Sequence, residues 1–450
     1  MSLHAGTLKS LSRMKKNYLV WGLLLCSQFV QAMDLLESYD LAMQNDPTLQ
    51  EAEETRNAVL EARPQSLARL LPSLSLVGGI NANRYDTTNT FAQSQFGLQY
   101  FWDSNVSLKL SQPIYHHDYW VQLDQSDNQI AQAEAEYVAE QQNLLLRTAK
   151  AYFGVLLAQN SLEYANAEQQ TVLRQVEEMQ RRLSLGAASI DELQEAQSGY
   201  DQARAISIDA QRELQAAQTA LSEIIGPADH QLNPLRPELK PVLPEPDQLE
   251  AWLNLARQNN LTLIAAQHRA EVARKTIEIQ FAGHLPTLDL VGNLATTDTD
   301  RTQGVEANSQ TIGVQMNLPL YLGGSVDSKV RQAQHQFEAA RKHIDKQRRA
   351  AERQTQDAFQ GIASAIDQIK ALESAQHSTE ITVAAMQKGL QIGSRSISEL
   401  LLVTRNLFRV RRDHAKAKYD YIVNCLTLKQ AAGMLVRNDL ELVNSWLIQR

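Results

Sequence analysis

The 450-residue chain has two cysteines, Cys26 and Cys425, and only the second lies beyond the first thirty-odd residues. An intrachain disulfide is therefore excluded for everything after that stretch, whatever the redox state of its compartment. Aromatic residues make up 6% of the chain, few for a large globular core, so stability has to come from close packing of small residues or from assembly. Past the N-terminal stretch no run of eighteen apolar residues occurs, which leaves no transmembrane helix. Net charge is -8, with no basic cluster suited to nucleic acid, and no nucleic-acid partner is expected. No glycine-rich phosphate loop and no nucleophile elbow is present.

Catalysis finds as little support. Glu134, Glu136 and Glu140 are spaced as a solvated helix face and not as an acid/base pair. His116 and His117 stand beside Asp118, but neighbours on a strand point to opposite faces and no further ligand cluster accompanies them. They read as surface histidines. No catalytic residue, metal site or cofactor is assigned, and the chain is not expected to be an enzyme.

What is present begins with an export signal. Lys15 and Lys16 precede an apolar stretch from Tyr18 to Leu25, and Val30-Gln31-Ala32 supplies compact residues at a cleavage position before Met33. Leu25 is bulky where lipid attachment to Cys26 would want a small residue, so residues 1–32 read as the signal of an unlipidated exported protein. Export without an anchoring helix leaves the periplasm, the exterior, or an outer-membrane barrel.

The chain says nearly everything twice. Leu71-Pro72-Ser73-Leu74-Ser75-Leu76-Val77-Gly78 returns 214 residues later as Leu285-Pro286-Thr287-Leu288-Asp289-Leu290-Val291-Gly292. Gly186-Ala187-Ala188-Ser189-Ile190-Asp191-Glu192-Leu193 returns 207 residues later as Gly393-Ser394-Arg395-Ser396-Ile397-Ser398-Glu399-Leu400. The segment around Leu41 to Leu49 matches that around Leu255 to Leu263 at 214, and Pro113-Ile114-Tyr115 matches Pro319-Leu320-Tyr321 at 206. The offset changes only between the Leu-Pro and the Pro-aliphatic-Tyr motifs, so the length difference belongs to a surface loop.

Two periodicities fill each copy. Counting by sevens from Leu123 gives Ile130, Tyr137, Leu144, Ala151, Ala158, Ala165, Val172 and Met179, and Val330, Phe337, Ile344, Ala351, Ala358, Ala365 and Leu372 follow the same rule in the second copy. A seam held at a strict seven-residue repeat implies helices that supercoil around partners, and alanine in its middle allows close approach. Each such helix is about 65 to 70 residues, roughly 100 Å long at 1.5 Å per residue. It turns at the Gly-x-x-Ser-Ile motif, and a second helix returns.

Upstream, Leu74, Leu76, Ile80 and Ala82 alternate with polar residues, as do Val106, Leu108 and Leu110, then Leu288, Leu290 and Leu294, then Ile312, Val314, Met316 and Leu318. Period two means strands with one apolar and one polar face. Four strands of about ten residues suit a tilted crossing of a bilayer but cannot close a barrel, so several chains must share one. Tyr85, Phe91, Phe96, Tyr100, Phe101 and Trp102 near the first loop are candidates for an aromatic girdle or for a self-packed loop cluster.

The expected organisation is a signal at 1–32 and a first repeat at 33–226, with strands at about 73–113, a long helix at about 118–185 and a return helix at about 190–225. A proline-rich linker occupies 227–248, holding six of the twelve prolines, either as a hinge or as a docked belt. The second repeat covers 249–433, with strands at about 287–319, a long helix at about 325–392 and a return helix at about 397–432, and a tail follows at 434–450. The fold class is mainly α with a β-barrel portion. Helical repeats alone fit two functions, a trimeric exit duct or a coiled-coil scaffold of the cell envelope that forms no pore; the amphipathic strands favour the duct.

With an export signal, two copies of strand pair plus long helical hairpin, and Gly-x-x-Ser-Ile-x-Glu-Leu at each turn, residues 33 to 433 resemble the TolC family of outer-membrane channel proteins. The resemblance implies a homotrimer with a twelve-stranded barrel in outer-membrane lipid above a periplasmic α-helical duct. It also implies a periplasmic adaptor, or membrane fusion protein, and an inner-membrane transporter docked at the tips in type I secretion or efflux. By that resemblance Gly186, Ser189, Ile190, Gly393, Arg395, Ser396 and Ile397 form the adaptor-facing tip. Arg395 would bond Glu192 to latch the closed gate, and Glu399 would line the constriction. The family often has a second acid one turn on, where this chain departs from the pattern with Leu402.

Overall fold

The computed structural model describes residues 32–87, 97–227, 231–300 and 305–448. Phe91, Phe96 and the export signal through Gln31 lie outside the described residues. The chain runs α1 (Leu35–Asn45), α2 (Pro47–Leu60), α3 (Ala62–Ala68), β1 (Ser73–Thr87), β2 (Gly97–Tyr115), α4 (His117–Ser184) and α5 (Ile190–Ile225). The second half repeats the plan with α6 (Leu249–Asn259), α7 (Leu261–Phe281), β3 (Thr287–Thr299), β4 (Val305–Asn317), α8 (Ser325–Gln391) and α9 (Ile397–Ala431). A final helix, α10 (Arg437–Asn444), follows.

The strands form one antiparallel sheet in the order β1-β2-β3-β4, leaving β1 and β4 as edges. Register brings many of the apolar positions together. Leu74 faces Leu110, Leu76 faces Leu108, Leu108 faces Leu294, and Leu290 faces Val314; on the other side Ser75 faces Lys109 and Asp289 faces Gln315. Directly opposed residues share a face, so one face is mainly apolar, interrupted by Ser104, Gln112, Thr296 and Gln310, and in the single chain Leu76, Ile80, Val106, Ile312, Val314 and Met316 stand exposed on it. Tyr100 and Trp102 lie on this face near the loop end, while Tyr115, opposite Leu288, lies on it at the helix end. Tyr85 and Phe101 occupy the polar side, so the expected girdle at that end retains only Tyr100 and Trp102 among the described residues. From Trp102 to Tyr115 a strand tilted by about 40° rises on the order of 30 Å, a bilayer's depth.

The helices carry the main core. Leu144, Tyr152, Phe153, Leu156, Ile362, Ile366, Ile422, Leu426 and Leu428 pack where the two hairpins and the termini meet. The proline-rich segment is a docked belt here: Met33 bridges Leu232, Leu235 bridges Leu447, and the Tyr421 hydroxyl donates to Val242 O at 2.8 Å. The Tyr152 hydroxyl donates to Asn233 O at 2.9 Å, and its burial raises its pKa above the ordinary tyrosine value. The stretch after α9 is likewise no free tail, since Leu440, Val443 and Leu447 of and beyond α10 are fully packed into this core.

His116 departs from the surface-histidine expectation. It is the residue before α4 and not a mid-strand position, its side chain is 12% exposed, and its Nε2 lies 3.1 Å from Asp289 Oδ1 at the start of β3. Tyr119 stacks on the imidazole at 4.4 Å. The strand-to-helix corner withdraws the ring from solvent because the chain turns over β3 at that point. His117 falls in the first helical turn, half-buried. Among the described residues no group of three or more His, Cys, Asp or Glu side chains could hold a metal ion, and no helix is long and apolar enough to cross a membrane.

Candidate functional site

Both hairpin turns are built from the same two backbone devices placed back to back. At the first, Gly186 takes φ 71°, its N–H donates to Leu183 O at 3.0 Å, and Ala187 N–H donates to Arg182 O at 2.8 Å. At the second, Gly393 takes φ 73°, with Gly393 N–H on Leu390 O at 3.2 Å and Ser394 N–H on Gly389 O at 2.9 Å. This left-handed ending satisfies the last carbonyls of a helix and favours glycine, which has no Cβ to clash.

Three residues later the return helix starts with a capping box. Ser189 Oγ accepts from Glu192 N–H at 3.2 Å while Glu192 Oε2 accepts from Ser189 N–H at 2.7 Å. Ser396 and Glu399 repeat it at 3.2 and 3.1 Å. The recurrence of Ser and Glu in the two motifs thus has a local cause: together they satisfy otherwise orphaned donors at a helix start. Glu192 and Glu399, gate acids by the family resemblance, already hold backbone N–H groups.

Arg395 lies beside Glu399 of its own tip, Nη1 to Oε1 3.5 Å, with both side chains about half exposed. Within one chain it is not brought to Glu192. Its stem crosses Gly389, where a Cβ would sit 2.6 Å from Arg395 Cγ, so the glycine makes room for the arginine.

The two tips touch through an apolar cluster of Val176, Met179, Ala196, Leu390, Ile397 and Leu400. Arg182 Nη1 donates across to Leu390 O at 3.0 Å, and Ser398 bonds Glu195. Pseudo-equivalent positions are therefore used differently. Ile190 is 67% exposed and Ile397 0%, so the expectation that both isoleucines face a partner is corrected for Ile397: the second tip folds it inward under the first. Leu185 and Ile392, 82% and 81% exposed, are the apolar residues that both tips present alike. Each stands directly before its turn glycine, so an apolar residue at that place was legible in the sequence. Leu402, one turn beyond Glu399, is exposed.

Above the tip cluster the hairpin seam turns polar. Glu168 and Gln175 of α4 and Thr404 of α9 are buried, and Glu168 Oε2, both amide atoms of Gln175 and Thr404 Oγ1 have no hydrogen-bond partner among the described residues. Burial raises the Glu168 pKa, against the opposing pull of Arg412 and Arg405. Glu168 and Gln175 were legible as the polar positions three residues after Ala165 and Val172 in the heptad frame.

An amphipathic sheet with both edges open, on a doubled set of long helical hairpins ending in twin tips, defines one subunit of an outer-membrane channel with a helical duct. Comparison with known proteins gives the same class. The family model described as "Outer membrane efflux protein" matches residues 38–227 and 252–434, and the chain belongs to that family. It is 34% identical to the outer membrane protein TolC of Vibrio cholerae over 426 residues, covering 94% of this chain and 95% of that one. It is 29% identical to the alkaline protease secretion protein AprF of Pseudomonas aeruginosa, covering 94% and 89%. The fold matches the Campylobacter jejuni CmeC outer membrane channel at TM-score 0.79, with 16% identity and 97% of each chain covered. The protein is an outer-membrane channel component with its helices in the periplasm, and membership of a channel family carries a non-enzymatic role.

Proposed function

We propose that three copies close a twelve-stranded barrel and a continuous α-helical duct, the exit component of a type I secretion or efflux system. The observation that carries the reading is the sheet: one face is mainly apolar and uncovered, and β1 and β4 are its unpaired edges. Lipid tolerates no open edge, and four strands are too few to close alone. Relatives named for TolC, for alkaline protease secretion and for protease secretion support secretion or efflux as the task.

The tips at Gly186 and Gly393, with Leu185, Ile190 and Ile392 outermost, are proposed to dock the periplasmic adaptor, through which the inner-membrane transporter is engaged. Ser189 and Ser396 shape the turns, and Ile397 holds the second tip against the first. Arg395, Glu192, Glu399 and Leu402 are proposed to line the gate, where three-fold symmetry repeats each around the pore. A ring of Glu399 carboxylates in a narrow mouth focuses the field and favours cations.

The test is direct. Outer-membrane fractions should contain heat-resistant trimers that open single channels in planar bilayers. Monomers without conductance would return the scaffold reading.

A further inference from the structure

The internal repeat turns one interface inside the chain into a template for an interface between chains. Helix α7 packs between α4 and α8. On its α4 side Lys275 pairs with Asp124, Gln125 Nε2 donates to Thr276 Oγ1 at 2.9 Å, and His268 Nδ1 lies 3.3 Å from Asn128 Oδ1. In the repeat, α2 and α3 are the counterparts of α7 at the 214-residue offset, and α8 is the counterpart of α4 at the 207-residue offset. Helices α2 and α3 pack on α4 as α7 packs on α8. The counterpart of the α4–α7 packing, α8 against α2 and α3, does not form among the described residues of a single chain.

Those two surfaces are free and opposite in charge. Val326, Ala333, Ala351 and Ala358 bury one side of α8. Helical spacing of 100° per residue gathers Arg331, His335, Lys342, Lys346, Arg349 and Arg353 on the opposite side, and all six are exposed. Arg331, Lys342, Lys346 and Arg349 make no ion pair with a described residue. On α2 and just after it, Glu51, Glu54 and Glu61 are exposed and equally unpaired among the described residues.

The repeat then aligns the charges residue by residue. Asp124 corresponds to Arg331 and Lys275 to Glu61; Asn128 corresponds to His335 and His268 to Glu54. The ion pair inside the chain thus reappears at its counterpart positions with its signs exchanged.

We propose that the basic face of α8 docks on the acidic face of α2 and α3 of the next copy, with Arg331 against Glu61 and His335 against Glu54. The exchange of sign also separates the two kinds of interface. Glu61 placed where Lys275 sits would meet Asp124, and Lys275 placed at the free face of α8 would meet Arg331. Like charges penalise both errors, so each long helix accepts only its proper neighbour. This rests on the trimer proposed above and assigns the contacts that order it.

The full-length protein in outer-membrane fractions, with Cys425→Ser, tests the pairing in two ways. Glu61→Cys combined with Arg331→Cys should yield covalent trimers with a short bismaleimide, whereas either single variant should not. Separately, Glu61→Arg or Arg331→Glu should lower the heat-resistant trimer yield at low salt by about threefold, the size of a solvent-accessible pair. The double exchange should recover it, and 1 M salt should erase the difference by screening, as the Debye length there is about 3 Å. Trimers of the double-cysteine variant that do not cross-link, together with no recovery in the double exchange, overturn the pairing and leave the channel reading intact. Absence of trimers from the wild type overturns both.

Discussion

Arg395 Nη1 lies 3.5 Å from Glu399 Oε1, one turn ahead in its own tip, while Glu192 of the other tip gives its carboxylate to Ser189 N–H. An exposed charge pair of this kind is worth about 1 kcal/mol or less, suitable for a latch that a docking partner can open. The two acids can be told apart functionally. Arg395→Ser and Glu399→Gln should both raise the resting conductance of the isolated channel in planar bilayers if the contact within the tip is the latch. Glu192→Gln should then leave it near the wild-type level. The reverse ranking would point to a latch between tips.

Glu399 has a second consequence, for ion selectivity. Glu399→Gln keeps a hydrogen-bonding group for the capping box and removes the charge, so the turn should persist. Cation-over-anion permeability measured from reversal potentials should fall, together with block by trivalent cations. Leu402→Asp adds a second carboxylate one turn on and should strengthen that block. Unaltered selectivity in Glu399→Gln would locate the constriction elsewhere.

Gly186 and Gly393 sit at positive φ where a side chain is strained, and nothing lies within 4 Å of where their Cβ atoms would be. Gly186→Arg or Gly393→Arg therefore costs backbone strain of about 1 kcal/mol, too little to unfold the hairpins, while placing a bulky charge on the outermost surface. Heat-resistant trimers should still reach the outer membrane, and export should be lost. Full export by such trimers would remove the tips from the adaptor contact.

Glu168 makes the hairpin seam sensitive to pH. Its folded-state pKa is raised by burial, so protonation favours the folded seam: the stabilisation is complete below the ordinary glutamate pKa and is lost as pH rises through the raised value. Glu168→Met removes an unsatisfied buried group and should stabilise the seam by about 1 to 3 kcal/mol at neutral pH. Protection factors for amide exchange of α4 near residue 168 and of α9 near residue 404, taken relative to intrinsic exchange at each pH, should rise in this variant and lose their pH dependence. Exchange that is equally fast in both proteins would mean the seam is held elsewhere.

Sequence periodicity alone determined much of this protein. A seven-residue seam is compatible only with long supercoiled helices, and a two-residue alternation only with strands, because side chains repeat every 3.6 and every 2 residues in the two structures. The doubled Leu-Pro and Gly-x-x-Ser-Ile motifs marked where strands begin and hairpins turn, since those backbone requirements are local and recur wherever the turn recurs.

Tertiary structure decided whatever depends on which of two equivalent surfaces is covered. Ile190 and Ile397 occupy the same motif position, yet only Ile397 is buried, because the second tip folds under the first. His116 and Asp289 are 173 residues apart and meet only when β2 lies beside β3. The proline-rich segment reads equally as hinge or belt until Leu232, Leu235 and Val242 find Met33, Leu447 and Tyr421. Local chemistry is written along the chain, whereas the burial of one copy of a repeated surface and the exposure of the other is settled by packing between distant segments, which no local pattern encodes.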